Sequence, residues 1–245
     1  MEHRPAVTRY RHNKNRFVIS LTILALLGIL AAAISIAVPL FTRQPERQQN
    51  IGTEGSEPET GWELMLVNRT NPLPEGYQVK TRALPNGLLF DKRAYKHLVD
   101  MIADGKSQGL SFVICSAYRS MDRQRELFDD QVADERANGL DHDRAVEVAA
   151  TKVALPGTSE HNLGLAADIV ALDYQKLDEG ILNTPEYRWL RDNSYRYGFI
   201  LRYPEGKSDI TGIIFEPWHF RYVGKEAAEA ITQSGLCLEE YLGKD

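Results

Sequence analysis

Three zones succeed one another in the pattern of apolar and polar positions. From Phe17 to Leu40 (FVISLTILALLGILAAAISIAVPL) no charged residue interrupts the chain. As a helix those 24 positions would rise about 36 Å, enough to cross a hydrocarbon core of about 30 Å. Residues 41–61 are polar, carry Pro, Gly and Ser, and show no hydrophobic period, as in a flexible linker. From residue 62 to 245 short apolar runs and helical spacings are punctuated by turn residues, the pattern of one folded domain.

Within that domain, Ala94, Tyr95, Leu98, Val99 and Ile102 recur at helical spacing after Asp91, a candidate cap, and Gly105 or Gly109 offers an end. Leu110 to Cys115 reads as a short buried strand. Ser120 predicts the cap of a second helix running towards Gly139, and a third helix is expected from His142 to Leu155, before Pro156-Gly157. Ala166 to Val170 is strand-like. Thr184-Pro185 place a cap and a first-turn proline on a helix that Gly198 ends. Ile213 to Phe215 reads as another strand, followed by a last helix from Lys225 to Ser234. Helices and strands do not alternate as regular βαβ units. The expected fold is therefore α+β, a mostly antiparallel sheet with flanking helices, preceded by one transmembrane helix.

Charge adds a topology. Residues 1–16 carry Arg4, Arg9, Arg11, Lys14 and Arg16 against Glu2, so the positive-inside rule keeps this basic tail in the cytoplasm and places the domain outside it. A cleaved signal peptide is the rival reading, since Ala31-Ala32-Ala33 and Ser35-Ile36-Ala37 resemble cleavage sites. The apolar run exceeds the usual signal core of about 7–15 residues, which favours an uncleaved anchor in the lipid bilayer. Beyond residue 16 the chain carries a net charge of −9, which makes it a poor nucleic-acid binder, since phosphate contact needs clustered basic residues. A mean hydropathy of −0.36 argues against a polytopic membrane protein. Cys115 and Cys237 both fall in the exported part, where a disulfide could persist, although spacing alone does not bring their Cα atoms together.

The candidate chemistry lies in two clusters. His161 and Asp168 stand seven positions apart in SEHNLGLAADI, and Glu216 and His219 follow in FEPWH. Each cluster abuts an apolar run, where an unpaired charge would be costly to bury. Two imidazoles and a carboxylate (His161, Asp168, His219) suit a three-ligand zinc site that leaves a position for water, and Glu216 supplies a base for that water's proton. Pro217 keeps EPWH out of a helix interior, so this is not the helical HExxH arrangement. A structural metal site would use the same ligands without needing the base.

These stretches, together with LVNRTNPLPEGY near residue 70, SAYRS at 116–120, YGFILRYP at 197–204 and TGIIFEPWHFRYVG at 211–224, resemble the zinc D-Ala-D-Ala carboxypeptidases of bacterial cell walls, the VanY-like group of D,D- and L,D-carboxypeptidases. The resemblance covers roughly residues 62 to 245. Asn162 departs from it, standing where Gln is common, and puts no ligand in doubt. The resemblance implies the fold shared with the hedgehog signalling domain and a zinc peptidase acting on peptidoglycan stem peptides outside the cytoplasmic membrane. It also implies that Arg119 holds the substrate's terminal carboxylate through its two-pronged fork, with Ser116 and Ser159 as hydrogen-bonding helpers. Removal of a terminal D-alanine (D,D-carboxypeptidase) is the expected activity. An L,D-carboxypeptidase on tetrapeptides, a peptidoglycan endopeptidase, and a non-catalytic binding module on the same fold are the alternatives.

Overall fold

A computed structural model describes residues 61–244. The basic tail, the expected anchor over Phe17–Leu40 and the linker up to residue 60 lie outside the described residues. A hairpin of β1 (Thr81–Ala83) and β2 (Leu89–Asp91) leads into α1 (Tyr95–Ser107), then β3 (Phe112–Ser116). Two antiparallel helices follow, α2 (Met121–Ala137) and α3 (His142–Ala149), then the single turn α4 (Glu160–Leu163) and β4 (Ala166–Ala171). The chain continues through α5 (Pro185–Asn193), β5 (Phe199–Leu201), the turn α6 (Ser208–Thr211), β6 (His219–Tyr222), α7 (Lys225–Ser234) and α8 (Leu238–Tyr241). The strands β3-β4-β6-β5 form one sheet in that order, every pair antiparallel. The domain is thus the expected α+β.

All six residues of β4 are buried, so this central strand is covered on both faces. Side chains alternate across a strand. Ala167 and Ile169 of β4, Phe220 and Tyr222 of β6 and Phe199 of β5 enter the main core with Leu98 and Met101 of α1. Asp168, His219 and Arg221, one position out of phase, face the other way. One face of the sheet makes the core and the opposite face carries the polar groups. The α2–α3 pair closes a small core of its own around Phe128, Val132, Ala145 and Ala149.

Local chemistry accounts for most boundaries. Ser120, Asp141 and Thr184 cap α2, α3 and α5 by accepting from Arg123, Arg144 and Tyr187 N–H groups. Several expectations are corrected. Asp91 does not cap α1; it ends β2 and accepts from the Arg93 N–H at 2.8 Å, while the helix begins at Tyr95. Gly105 lies inside α1, where the Phe112 ring leaves no room for a Cβ. The third helix stops at Ala149, short of Leu155. Ile213 to Phe215 is not a strand: the Ile214 N–H bonds the Thr151 carbonyl and the Glu216 N–H the Tyr203 carbonyl, single contacts on two different segments rather than a ladder. The ladder strand in this part of the chain is β6, and His219 is its first residue. Cys115 and Cys237 are free thiols, and the Cys115 Sγ lies 3.3 Å from the Asp168 carbonyl.

Candidate active site

Asp168 sits in the middle of the sheet with Ser116 of β3 opposite it on one side and His219 of β6 on the other. A register shift between Ile114 and Ser116 disturbs β3 at this point. His161 arrives from α4 immediately upstream of β4. Ser159 opens that turn, its Oγ accepting from the His161 N–H at 3.3 Å. Gly164 closes it at φ 84°, with Val79 so near that a Cβ would collide at 2.9 Å. Only glycine meets both demands, reversing the chain straight into the strand that carries Asp168.

One ligand atom from each of His161, Asp168 and His219 lies within 4.8 Å of the other two. His161 Nε2 is 3.2 Å from Asp168 Oδ2, and His219 Nδ1 is 3.2 Å from Asp168 Oδ1. The two rings meet edge to face at 4.9 Å. His161 Nδ1 is 2.7 Å from the Ala117 carbonyl, which only accepts, so Nδ1 carries the hydrogen and the Nε2 lone pair faces the cluster. All three residues are buried, and Asp168 Oδ1 accepts no hydrogen bond among the described residues. Two imidazole nitrogens and a carboxylate converging in a buried space fit one zinc ion, with nitrogen and oxygen donors of the right kinds.

The electrostatics are those of a site built for a cation. Burial would raise Asp168, but the protonated His219 beside it outweighs burial and holds the carboxyl well below the usual range. Burial would likewise lower His219, yet the carboxylates of Asp168 and Glu160 close to its two ring nitrogens push it up to about 9. Burial drives His161 down. Glu216, whose Oε2 is 3.4 Å from His219 Nδ1, is pushed by burial up to about 8, against the pull of His219 and with Asp168 adding to the rise. The His219 N–H donates to the Glu216 carbonyl at 3.1 Å, closing a tight turn around Pro217 that sets this carboxylate beside the cluster.

Arg119 lies across the cleft. Its guanidinium donates to Gln124 Oε1 at 2.7 Å and to Ser116 Oγ at 2.9 Å, and stands 3.8 Å from Asp168 Oδ2. Burial lowers its proton affinity against the opposing fields of Asp168 and Glu216, and it stays cationic. Its backbone is tied to the ligand segment: the Arg119 N–H donates to the His161 carbonyl at 3.0 Å, and Asn162 Nδ2 donates to the Arg119 carbonyl at 2.7 Å. The cleft, about 350 Å³, is lined by Arg119, Ser159, His161, Asp168, Glu216 and His219, with Leu177, Ile214 and Trp218 as apolar walls. Ser116 lines an adjoining recess with Arg119 and Asp168. Every site residue expected from the sequence therefore converges here. Ser159 Oγ is occupied as a helix cap as well as lining the cleft.

Sequence reasoning missed several neighbours. Gln124 steadies Arg119 and is itself anchored to the Ala154 carbonyl at 2.6 Å. The Tyr203 ring packs 4.8 Å from that of His219. Glu160, Arg202 and Arg221 form a buried ionic group behind His219. Glu160 had a signal, a charge directly beside a candidate ligand. Gln124 had none, and Arg202, Tyr203 and Arg221 fell within the quoted stretches YGFILRYP and TGIIFEPWHFRYVG without any sign of what they contact.

A buried His–Asp–His cluster with a carboxylate beside it and an arginine facing it across a cleft, set on an antiparallel α+β frame, defines a zinc-dependent hydrolase. The VanY family, described as D-alanyl-D-alanine carboxypeptidase, matches residues 87–225. A D-alanyl-D-alanine carboxypeptidase of Enterococcus faecalis is 47% identical over 194 residues, covering 78% of this chain and 69% of that protein. A D,D-pentapeptidase VanY from a VanB-type resistance cassette, solved in complex with Zn(II), superposes with a TM-score of 0.68 at 47% identity, covering 74% of this chain and 99% of the other. VanYB in complex with D-alanine-D-alanine gives the same TM-score and identity over 75% and 99%. The LdcB LD-carboxypeptidase matches at 38% identity and a TM-score of 0.62, over 73% and 85%. The chain belongs to the VanY family of D-alanyl-D-alanine carboxypeptidases.

Proposed function

We propose that this protein is a zinc carboxypeptidase that removes the C-terminal D-alanine from peptidoglycan stem peptides. One observation carries the reading: the cleft sets a metal-type cluster, a carboxylate and an anion-holding arginine within one small space. His161, Asp168 and His219 are the ligands. Zinc held there supplies a Lewis acid, which makes a water more acidic and polarises the scissile carbonyl. Glu216 accepts the water's proton and passes it to the departing amine. Its apolar, crowded setting raises its affinity for that proton, while positive charge among the ligands lowers it, and the balance lies nearer neutrality than for a solvated carboxylate.

Arg119 grips the terminal carboxylate by a charge-assisted fork, with Ser116 Oγ accepting from the guanidinium and Ser159 lining the cleft beside it. That grip favours an exopeptidase over an endopeptidase. Glu216 beside the cluster favours catalysis over a pure binding module, which has no use for a base. The similarity to LdcB supports a second reading, L,D-cleavage of tetrapeptides, on the same machinery. The uncharged run from Phe17 to Leu40 supports an uncleaved single-pass anchor that holds the domain of residues 62–245 on the outer side of the bilayer. Incubating the purified enzyme with defined tri-, tetra- and pentapeptides and weighing the products tests the reading: loss of one alanine from the pentapeptide supports it, cleavage of the tetrapeptide alone supports the L,D reading, and no cleavage of either refutes both.

A further inference from the structure

Behind His219, on the side away from the cleft, lies a charged group that the proposed chemistry does not use. Glu160 is fully buried, and so are Arg202 and Arg221. Glu160 Oε1 accepts from both, from Arg202 Nε at 2.7 Å and from an Arg221 terminal nitrogen at 2.7 Å. Its other oxygen, Oε2, has no hydrogen-bond partner among the described residues, and neither has His219 Nε2; these two atoms face each other at 3.5 Å. Two buried polar atoms without partners are costly unless they serve one another. A carboxylate oxygen only accepts, so the pairing requires the hydrogen on His219 Nε2 and leaves the Nδ1 lone pair aimed at Asp168 and Glu216.

We propose that Glu160 is a positioning residue, which selects the Nε2–H tautomer of His219 and fixes its ring so that Nδ1 is prepared for the metal. The inference rests on His219 being a ligand, as proposed above. Burying a carboxylate between two guanidiniums carries a large desolvation cost, and a stability role alone would be served as well by apolar packing. The arrangement instead locks the carboxylate's orientation. Arg202 is held on its other edge by Glu239 of α8, at 2.6 and 2.9 Å. Arg221 also donates to the Glu63 and Met65 carbonyls at 2.9 Å. Glu63, Met65 and Glu239 all lie outside residues 87–225, the stretch that matches the family. The clamp on this ligand therefore draws on both flanks of the matched region.

The test begins with the unaltered protein, labelled with ¹⁵N-histidine and loaded with zinc. His219 should show a downfield, slowly exchanging Nε2 proton, with Nδ1 carrying the shift of a metal-bound nitrogen. A His219 bound through Nε2, or an Nε2 proton in fast exchange with water, overturns the proposal, and neither result requires a variant to fold. Glu160→Gln should lower zinc affinity about 10- to 100-fold in chelator competition, while one zinc per chain still binds at saturation. Glu239→Gln, which leaves the Glu160 charge in place, should give a smaller loss and a weaker protection of the same proton. Unchanged zinc affinity in Glu160→Gln, with the Nε2 proton unmoved, also overturns it. Failure of the unaltered chain to bind one zinc would instead remove the metal reading on which the inference stands.

Discussion

Asp168 and His219 are direct register partners on β4 and β6, so two candidate ligands are set by backbone pairing and not by a loop. Opposite residues in an antiparallel pair hold their side chains close on one face of the sheet. Their separation cannot change without breaking the ladder. Only His161 comes from outside the sheet, and the tight turn at Gly164 ties it to the same strand. Such a frame holds the ligand atoms near their places before any ion arrives, which lowers the cost of binding one.

Zinc affinity should rise with pH. Without metal, His219 holds its proton up to about pH 9, between Asp168 and Glu160. A raised value means that the proton is present at neutrality and must leave before Nδ1 can bind, so zinc and proton compete. For one displaced proton the dissociation constant falls by about tenfold per pH unit below that value, about 1.4 kcal/mol. Titration with a metal buffer at pH 6, 7 and 8 measures it. A constant that does not move across that range contradicts ligation by His219.

Glu216→Gln should retain zinc and lose turnover by about 10²- to 10⁴-fold, since an amide oxygen accepts a proton poorly. The side chain keeps its size, and its place in the turn before Pro217 depends on the backbone bond to the His219 N–H. Metal content and kcat are measured on the same sample. Near-normal kcat with zinc bound would strip Glu216 of its role as base.

The four residues His161, Asp168, Glu216 and His219 were legible in the sequence because each stands close to an apolar run, where a buried charge must be paired or bind a metal. The helices α2, α5 and α7 were legible through Ser120, Thr184-Pro185 and the Lys225–Ser234 spacing. The strand carrying His219 was not. Ile213-Ile214-Phe215 looks more strand-like than His219-Phe220-Arg221-Tyr222, but three apolar residues do not distinguish a ladder from the wall of a cleft. The β6 pattern is masked by Arg221, a charge with no exposed surface whose burial depends on Glu160, a residue 61 positions away. Partners so remote leave no local trace, and apart from Glu160, which stands beside a candidate ligand, the clamp behind His219 was hidden for that reason.

Asn162→Ala should weaken substrate binding through Arg119 without touching the metal. Asn162 accepts from the Gly157 N–H at 3.0 Å and donates to the Arg119 carbonyl at 2.7 Å, joining the anion holder to the ligand segment. Its loss leaves two backbone groups unpaired, at a cost of about 1–3 kcal/mol each where buried. The expected result is a lower melting temperature and a raised KM, with zinc stoichiometry retained. An unchanged KM would mean that Arg119 is held well enough by Ser116 and Gln124.

An uncleaved anchor over Phe17–Leu40 leaves the full-length chain in the membrane fraction, released by detergent and not by high salt. Fractionation followed by mass measurement of the intact chain examines this. A shorter, freely soluble form beginning near Ser35 or Val38 would replace the anchor with a cleaved signal peptide.

The terminal carboxylate offers the sharpest discrimination. If Arg119 grips it, amidating the substrate's C-terminus removes the charged partner of a charge-assisted pair. A hydrogen bond to a charged group contributes about 1.5–3 kcal/mol, so kcat/KM should fall roughly 10- to 150-fold. Arg119→Ala should produce a comparable fall with the free acid, because the carboxylate then has no fork to meet. Applied together, the two changes should not multiply: both delete the same contact, and the gap between acid and amide should close in the variant. The guanidinium also stands 3.8 Å from Asp168, so zinc content must be measured alongside to separate a lost grip from a disturbed ligand. Wild-type enzyme that cleaves amide and acid equally well would contradict the exopeptidase reading and favour an endopeptidase acting within cross-links.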